Sequence, residues 1–343
     1  MKRYTSLLLT AFVLVLLAAA GSVYLSGYAD KTEQDKTLPV LTVYTTLPAE
    51  HAALLSAEYE KTNKVRVSFV PLTAADMIAR LKDEAGKPKA DMLLADSQVL
   101  RQAAAAGVLE PYVSETADSV SEEFRDASGQ WNGVWYDPVI FCANADYLRS
   151  LPRIPETWSD LAGYHGVRIG ITDFLASEAS ANLYFSLLAQ YGEPTVFQLL
   201  RQLHPKVVQY AKYLSTPVRM AGMDEVDVSI AVQSETLRYI HEGYPLKIIY
   251  PVDGTAYMLT GTGILKNAPQ AALARNFADW LLGDEAQLVL QKNSFFFVPV
   301  NPATLAYKTF AGKNIILFSQ QADYSAQQRH DLLDRWVKNI RIK

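Results

Sequence analysis

The sequence predicts an α/β chain folded as two lobes around a cleft, and three observations lead there. Short β-branched runs alternate with amphipathic segments three times between Leu38 and Ala106, the pattern of a parallel sheet covered by helices. The same alternation returns between Trp158 and His241. Between and after the two series lie two strand–proline–strand passages, WNGVWYDPVIFCAN over 131–144 and LKIIYPVDGTAYMLTGTGILK over 246–266. A chain that crosses twice between lobes should show such a break twice.

Taken in order, the chain opens with Met1-Lys2-Arg3 and an apolar segment from Leu7 to Ala20, closed by Ala18-Ala19-Ala20-Gly21. That is the pattern of a secretory signal, with cleavage after Ala20. The apolar character continues to Tyr28, about 22 residues in all, long enough to span a bilayer uncut. Residues 1–38 are therefore a signal peptide or an anchor, followed by the polar linker DKTEQDKT. Either way the body is exported, to the periplasm or the outer face of the cytoplasmic membrane. Cys142 is the only cysteine, so lipid attachment near Ala20 is excluded, and its apolar surroundings predict a buried side chain.

Leu38 to Tyr44 reads as a strand, and Thr45-Thr46 should cap a helix that carries Pro48 in its first turn and runs to about Lys61. Strand Val65–Val70 follows, then a helix over Ala74–Lys82 capped by Thr73, strand Asp91–Ala95, and a helix over Gln98–Ala106 capped by Asp96-Ser97. In the second series, Trp158–Ala162 is a helix, Val167–Ile171 a strand, and Thr172-Asp173 leads into a helix ending near Tyr191. A helix over Phe197–Leu203, strand Val207–Tyr210, a short helix capped by Ser215-Thr216 and strand Asp227–Val232 come next. Ser234-Glu235 caps the helix to His241. Beyond the second crossing lie helices at Gln270–Leu282 and Asp284–Gln291. Phe295-Phe296-Phe297 should pack under a lobe, and the helical tail carries Leu332, Leu333 and Trp336 on one stripe.

In open α/β sheets, ligands sit beyond the carboxyl ends of strands, where helices begin. A polar cluster falls there five times: Thr45-Thr46, Asp96-Ser97, Thr172-Asp173 with Ser177, Ser215-Thr216 and Ser234-Glu235. Each hydroxyl is first a helix cap, but five in two series point also to a ligand. Helix-start amides favour an anion. Asp96, Asp173, Glu235 and Asp253 favour hydroxyls, an amine or a metal. A solute with one anionic end and one donor-rich end uses both sets.

Other chemistries lack support. The formal charge is −4 with no basic stripe, which argues against nucleic acid. The five histidines match no metal-ligand spacing. No Gly-x-Ser-x-Gly, nucleotide loop or His-Glu-x-x-His occurs, so neither catalysis nor a cofactor is expected.

Five stretches in this order resemble the solute-binding proteins of ABC importers, in the group for ferric iron, phosphonates and phosphorylated sugars. They are DMLLADSQVLRQAAAAGVLEPY, WNGVWYDPVIFCAN, IPETWSDLAGYHGVRIGI, YPVDGTAYMLTGTGILKNAPQ and FADWLLGDEAQ. The resemblance covers about residues 39–302. It implies a type II-like periplasmic binding protein fold, each lobe a mostly parallel sheet flanked by helices. The first lobe would comprise 39–137 and 256–300, the second 138–255, with a helical segment over 301–343 packing on both. It further implies a monomer that closes on a small anionic solute and docks on a membrane permease. Thr45, Ser97, Ser177, Ser234, Glu235, Thr255 and Tyr257 should lie around the cleft; Thr46, Thr172, Ser215 and Asp253 join them from the reading above.

Ferric-iron members carry an adjacent tyrosine pair after the strand that here is Asp227–Val232. This chain has Gln233-Ser234-Glu235 there and no Tyr-Tyr pair anywhere. A hydroxyl-bearing solute suits that position better, while single phenolates at Tyr184, Tyr239 and Tyr257 leave iron as an alternative. A retained anchor would instead suit a membrane-tethered sensor subunit.

Overall fold

A computed structural model describes residues 38–319 and 324–342, so the predicted signal or anchor lies outside the described residues. Two sheets share one long strand. In the first, β1 (Val40–Thr45) lies parallel to β2 (Arg66–Pro71) and β3 (Met92–Asp96). β3 then pairs antiparallel with β10 (Tyr257–Leu265), which pairs with the first half of β5 (Asn132–Asn144). β4 (Leu109–Glu110) adds to β10, and β11 (Val298–Pro299) to β5.

In the second sheet, β6 (Ile169–Thr172) lies parallel to β7 (Val207–Ala211) and β8 (Val228–Val232). β8 and β9 (Leu246–Ile249) pair with the second half of β5. Among the described residues every antiparallel strand pairing involves β5 or β10, the strands that lie where the chain passes between sheets.

Helices longer than one turn follow most strands. Around the first sheet are α1 (Ala49–Thr62), α2 (Ala74–Asp83) and α3 (Ser97–Ala105). Around the second are α4 (Ala145–Ser150), α5 (Trp158–Gly163), α6 (Glu178–Tyr191), α7 (Glu193–Leu203), α8 (Ser215–Gly222) and α9 (Gln233–His241). Then come α10 (Ala271–Leu281), α11 (Asp284–Lys292) and α12 (Ala326–Trp336). No helix among the described residues is long and apolar enough to cross a membrane.

β5 contributes to three cores, and in its second half alternation, with successive side chains pointing to opposite faces, divides it between two of them. Val134, Trp135 and Tyr136 enter the first core with Leu93, Leu55 and Phe277. Val139, Phe141 and Ala143 enter the second with Ile169, Tyr184 and Trp336. Ile140 and the free, buried Cys142 enter a third, under α8 and α9, with Val218 and Ala221. The tail places Leu332 and Trp336 in the second core, with Leu333 packed against its edge.

The passage at Asp137-Pro138 differs from the sequence reading. It is one uninterrupted strand rather than two runs around a break. Pro138 is the last residue paired with β10, one before the first paired with β8, so its missing N–H falls where the ladder changes partner.

Candidate functional site

The helix starts do not use the predicted hydroxyls as expected. Of the five polar clusters, only Ser177 caps its helix, accepting the Ser180 amide at 3.2 Å. The caps of α1, α3, α8 and α9 fall on Pro48, Asp96, Leu214 and Val232, none with a side-chain cap bond. Pro48 thus precedes its helix instead of occupying the first turn. The hydroxyls at these starts answer to other partners.

At the end of β1, the Thr45 hydroxyl donates to the Leu94 carbonyl at 2.7 Å and accepts the Leu47 amide at 3.0 Å. It is wholly buried and ties β1 to β3. Thr46 beside it is half-buried, and its amide reaches the same carbonyl. At the end of β3, Ser97 accepts from Arg101 Nη1 at 3.3 Å. Burial, with Glu178 of α6 opposite, pushes the neighbouring Asp96 carboxyl up to about 6.

On the second sheet, Thr172 is buried at the end of β6, its Oγ1 3.5 Å from the Tyr213 carbonyl. With Leu214, Ser180 and Val232 it lines a cavity of about 20 Å³, room for one water. Ser215 opens α8 next to Leu214. Glu235 pairs with Arg238 a turn further along α9, at 2.5 Å.

Three of the expected residues gather on β5. Ser234 donates its amide to Asp137 Oδ1 at 3.0 Å and its hydroxyl to Oδ2 at 2.5 Å. Thr255 donates to the Val139 carbonyl at 2.8 Å. Tyr257 pairs with Pro138 and packs its ring against Phe124 and Tyr136, while its carbonyl accepts from Asn182 at 2.9 Å. Burial pushes Asp137 up to about 7, against the lowering effect of the two Ser234 bonds. Asp253 stands apart from these groups: its carboxylate accepts the Trp158 amide at 3.1 Å and so serves the start of α5.

Ser177 borders a cavity of about 670 Å³, within the range of small-molecule sites. Gln98, Gln102 and Ala75 face it from α3 and α2 of the first sheet, Glu178 from α6 of the second. Arg329 and His330 of α12 complete the wall. Sequence reasoning missed Asp137, Gln98 and Arg329. A carboxylate inside an otherwise apolar strand was a readable signal for Asp137. Arg329 had none, because α12 was legible only through its apolar stripe. No group of His, Cys, Asp and Glu among the described residues is arranged to hold a metal.

The family of bacterial extracellular solute-binding proteins matches residues 87–315, about two thirds of the chain. The chain belongs to this family. An uncharacterized protein of Haemophilus influenzae is similar to this solute-binding protein at 29% identity over 295 residues, covering 81% of this chain and 84% of the relative. Among solved structures, the periplasmic binding protein AfuA of Actinobacillus pleuropneumoniae, with fructose-6-phosphate bound, superposes with a TM-score of 0.68 at 24% identity. It covers 89% of this chain and 99% of AfuA. The ferric binding protein of Campylobacter jejuni also gives 0.68, at 18% identity, with 88% and 98% covered. Both likenesses establish a shared periplasmic binding protein fold.

Proposed function

We propose that this protein is the non-catalytic receptor of an ABC importer. It captures a small anionic solute, a sugar phosphate or phosphonate, outside the cytoplasmic membrane and passes it to a permease. The observation that carries this reading is the cavity of about 670 Å³ between the two sheets. Its polar lining is the amides of Gln98 and Gln102, the Ser177 hydroxyl, the His330 imidazole, the Glu178 carboxylate and one guanidinium, set among apolar side chains, and the amides, hydroxyl and guanidinium suit a hydroxyl-bearing anion.

In this reading residues 39–137 and 256–300 form one lobe, 138–255 the other, and 301–343 a segment laid over them. The monomer closes about β5 and the Pro251–Thr255 turn. Closure removes water from the cleft, which strengthens each hydrogen bond to the solute, and the closed form is selected by the permease.

Thermal unfolding with fructose 6-phosphate, glucose 6-phosphate, methylphosphonate and ferric citrate tests it. A ligand at a hundred times its Kd adds about 2.7 kcal/mol of stability, so a Tm rise of roughly 5–10 °C is expected with a phosphorylated sugar or phosphonate. A rise with ferric citrate alone assigns the cleft to iron, as the names of several relatives favour. No rise with any compound overturns the solute class.

A further inference from the structure

The C-terminal helix α12 belongs to the second core, yet one of its side chains reaches the first sheet's side. Leu332, Trp336 and Ile340 are buried with Tyr184 and Phe174, and Tyr184 donates its hydroxyl to the Leu332 carbonyl at 3.1 Å. One turn past the helix, Arg341 is fixed to Asp173 at 3.1 Å. At the other end, Arg329 Nη1 donates to Gln98 Oε1 on α3 at 3.0 Å, and Nη2 pairs with Glu178 Oε2 on α6 at 2.5 Å. Its guanidinium carbon lies 4.4 Å from the centre of the Phe185 ring.

Among the residues lining the cavity, Arg329 is the one permanent cation. Its side chain is 16% exposed, whereas that of Glu178 is 60% exposed. An ion pair with so exposed a carboxylate is weakened by water and salt, and Gln98 is a neutral acceptor, so both partners are exchangeable. The guanidinium offers five donors in a planar fork that matches phosphate bidentately, and the Phe185 ring holds that fork in place.

We propose that Arg329 is the anion-recognising residue of the cavity, which makes α12 a third wall of the binding site. The phosphate or phosphonate of the solute takes the fork from Glu178. Gln98, Gln102 and Ser177 remain for the solute's hydroxyls. The inference rests on the cavity being the solute site.

Calorimetric titration of the exported protein with fructose 6-phosphate, glucose 6-phosphate and methylphosphonate, with fructose as the uncharged control, tests it. Arg329→Ala should weaken the anionic probe that the wild type binds at least thirtyfold, and Arg329→Lys, which keeps the charge but loses the fork, several-fold. Glu178→Gln should bind as well or better, since it removes the competing carboxylate, and Gln98→Ala, which removes one contact to a solute hydroxyl, should lose less than about tenfold with the sugar phosphates. If Arg329→Ala does not fold, Arg329→Lys and Glu178→Gln decide the matter. Wild type that binds while both Arg329 variants bind equally well overturns this inference alone. Losses in Glu178→Gln and Gln98→Ala as large as in Arg329→Ala reduce Arg329 to a strut and also overturn it. Wild type that binds no anionic probe overturns the solute class, and this inference with it.

Discussion

The two passages between the sheets carry the same sequence signal, a proline in an apolar run, and fold differently. At Pro138 the strand runs straight through, and the neighbouring Asp137 is buried under Ser234. At Pro251 the ladder has already ended, since β9 stops at Ile249, and the chain turns. That turn is stitched from several directions. Trp158 Nε1 donates to the Gly254 carbonyl at 2.9 Å, Tyr191 donates to the Asp253 carbonyl at 3.1 Å, and Thr255 exchanges two backbone bonds with Ile316 and Phe318. One proline is absorbed where strand partners change, and the other lies in a turn that begins after the ladder has ended. The first passage therefore rests on ladder pairing, the second on contacts from distant parts of the chain.

That contrast can be broken most severely at Gly254. Its φ is +92°, and a Cβ there would meet the Phe318 ring at 3.1 Å. Gly254→Val combines a disfavoured backbone with that crowding, so a loss of about 2 kcal/mol or more is expected, and thermal unfolding should show a Tm lower by roughly 5 °C.

Asp137→Asn acts on the other passage and is read through pH. The carboxyl titrates near 7 when folded and about 4 when unfolded, so the folded state holds its proton more tightly. Its contribution therefore falls as pH rises from about 4 to 7 and is level above that. The asparagine variant should lose this dependence, with Tm at pH 8 closer to Tm at pH 5 than in the wild type. An unchanged gap in calorimetric scans would show that Asp137 is ionised at neutral pH.

The smallest effect belongs to Pro138→Ala. The strand continues through this position, so the variant should lose no more than about 1 kcal/mol, chiefly through added freedom of the unfolded chain. A denaturant titration giving a loss as large as that of Gly254→Val would erase the distinction between the passages.

Much of the element order was legible because it depends on local periodicity. The helix over Ala74–Asp83 starts after its cap Thr73, which accepts the Asp76 amide, as the sequence predicts. The polar clusters at strand ends were legible as positions but not as contacts. Thr45, Ser234 and Asp253 were read from the sequence as cleft residues, without the partners they hold. Their partners, Leu94, Asp137 and Trp158, are between 49 and 97 residues away, and no local pattern encodes a bond across that span.

By itself the sequence determined the alternation of strands and helices, the two proline-marked passages and the kind of side chain at each strand end. Those follow from backbone propensity and apolar spacing, which act over a few residues. Only the tertiary structure decided that Pro138 leaves its strand whole, that Asp253 serves a helix start, and that Arg329 meets Gln98 across the cavity. Each depends on which distant segments the cores bring into contact, and burial of apolar surface does not specify partners until the chain has packed.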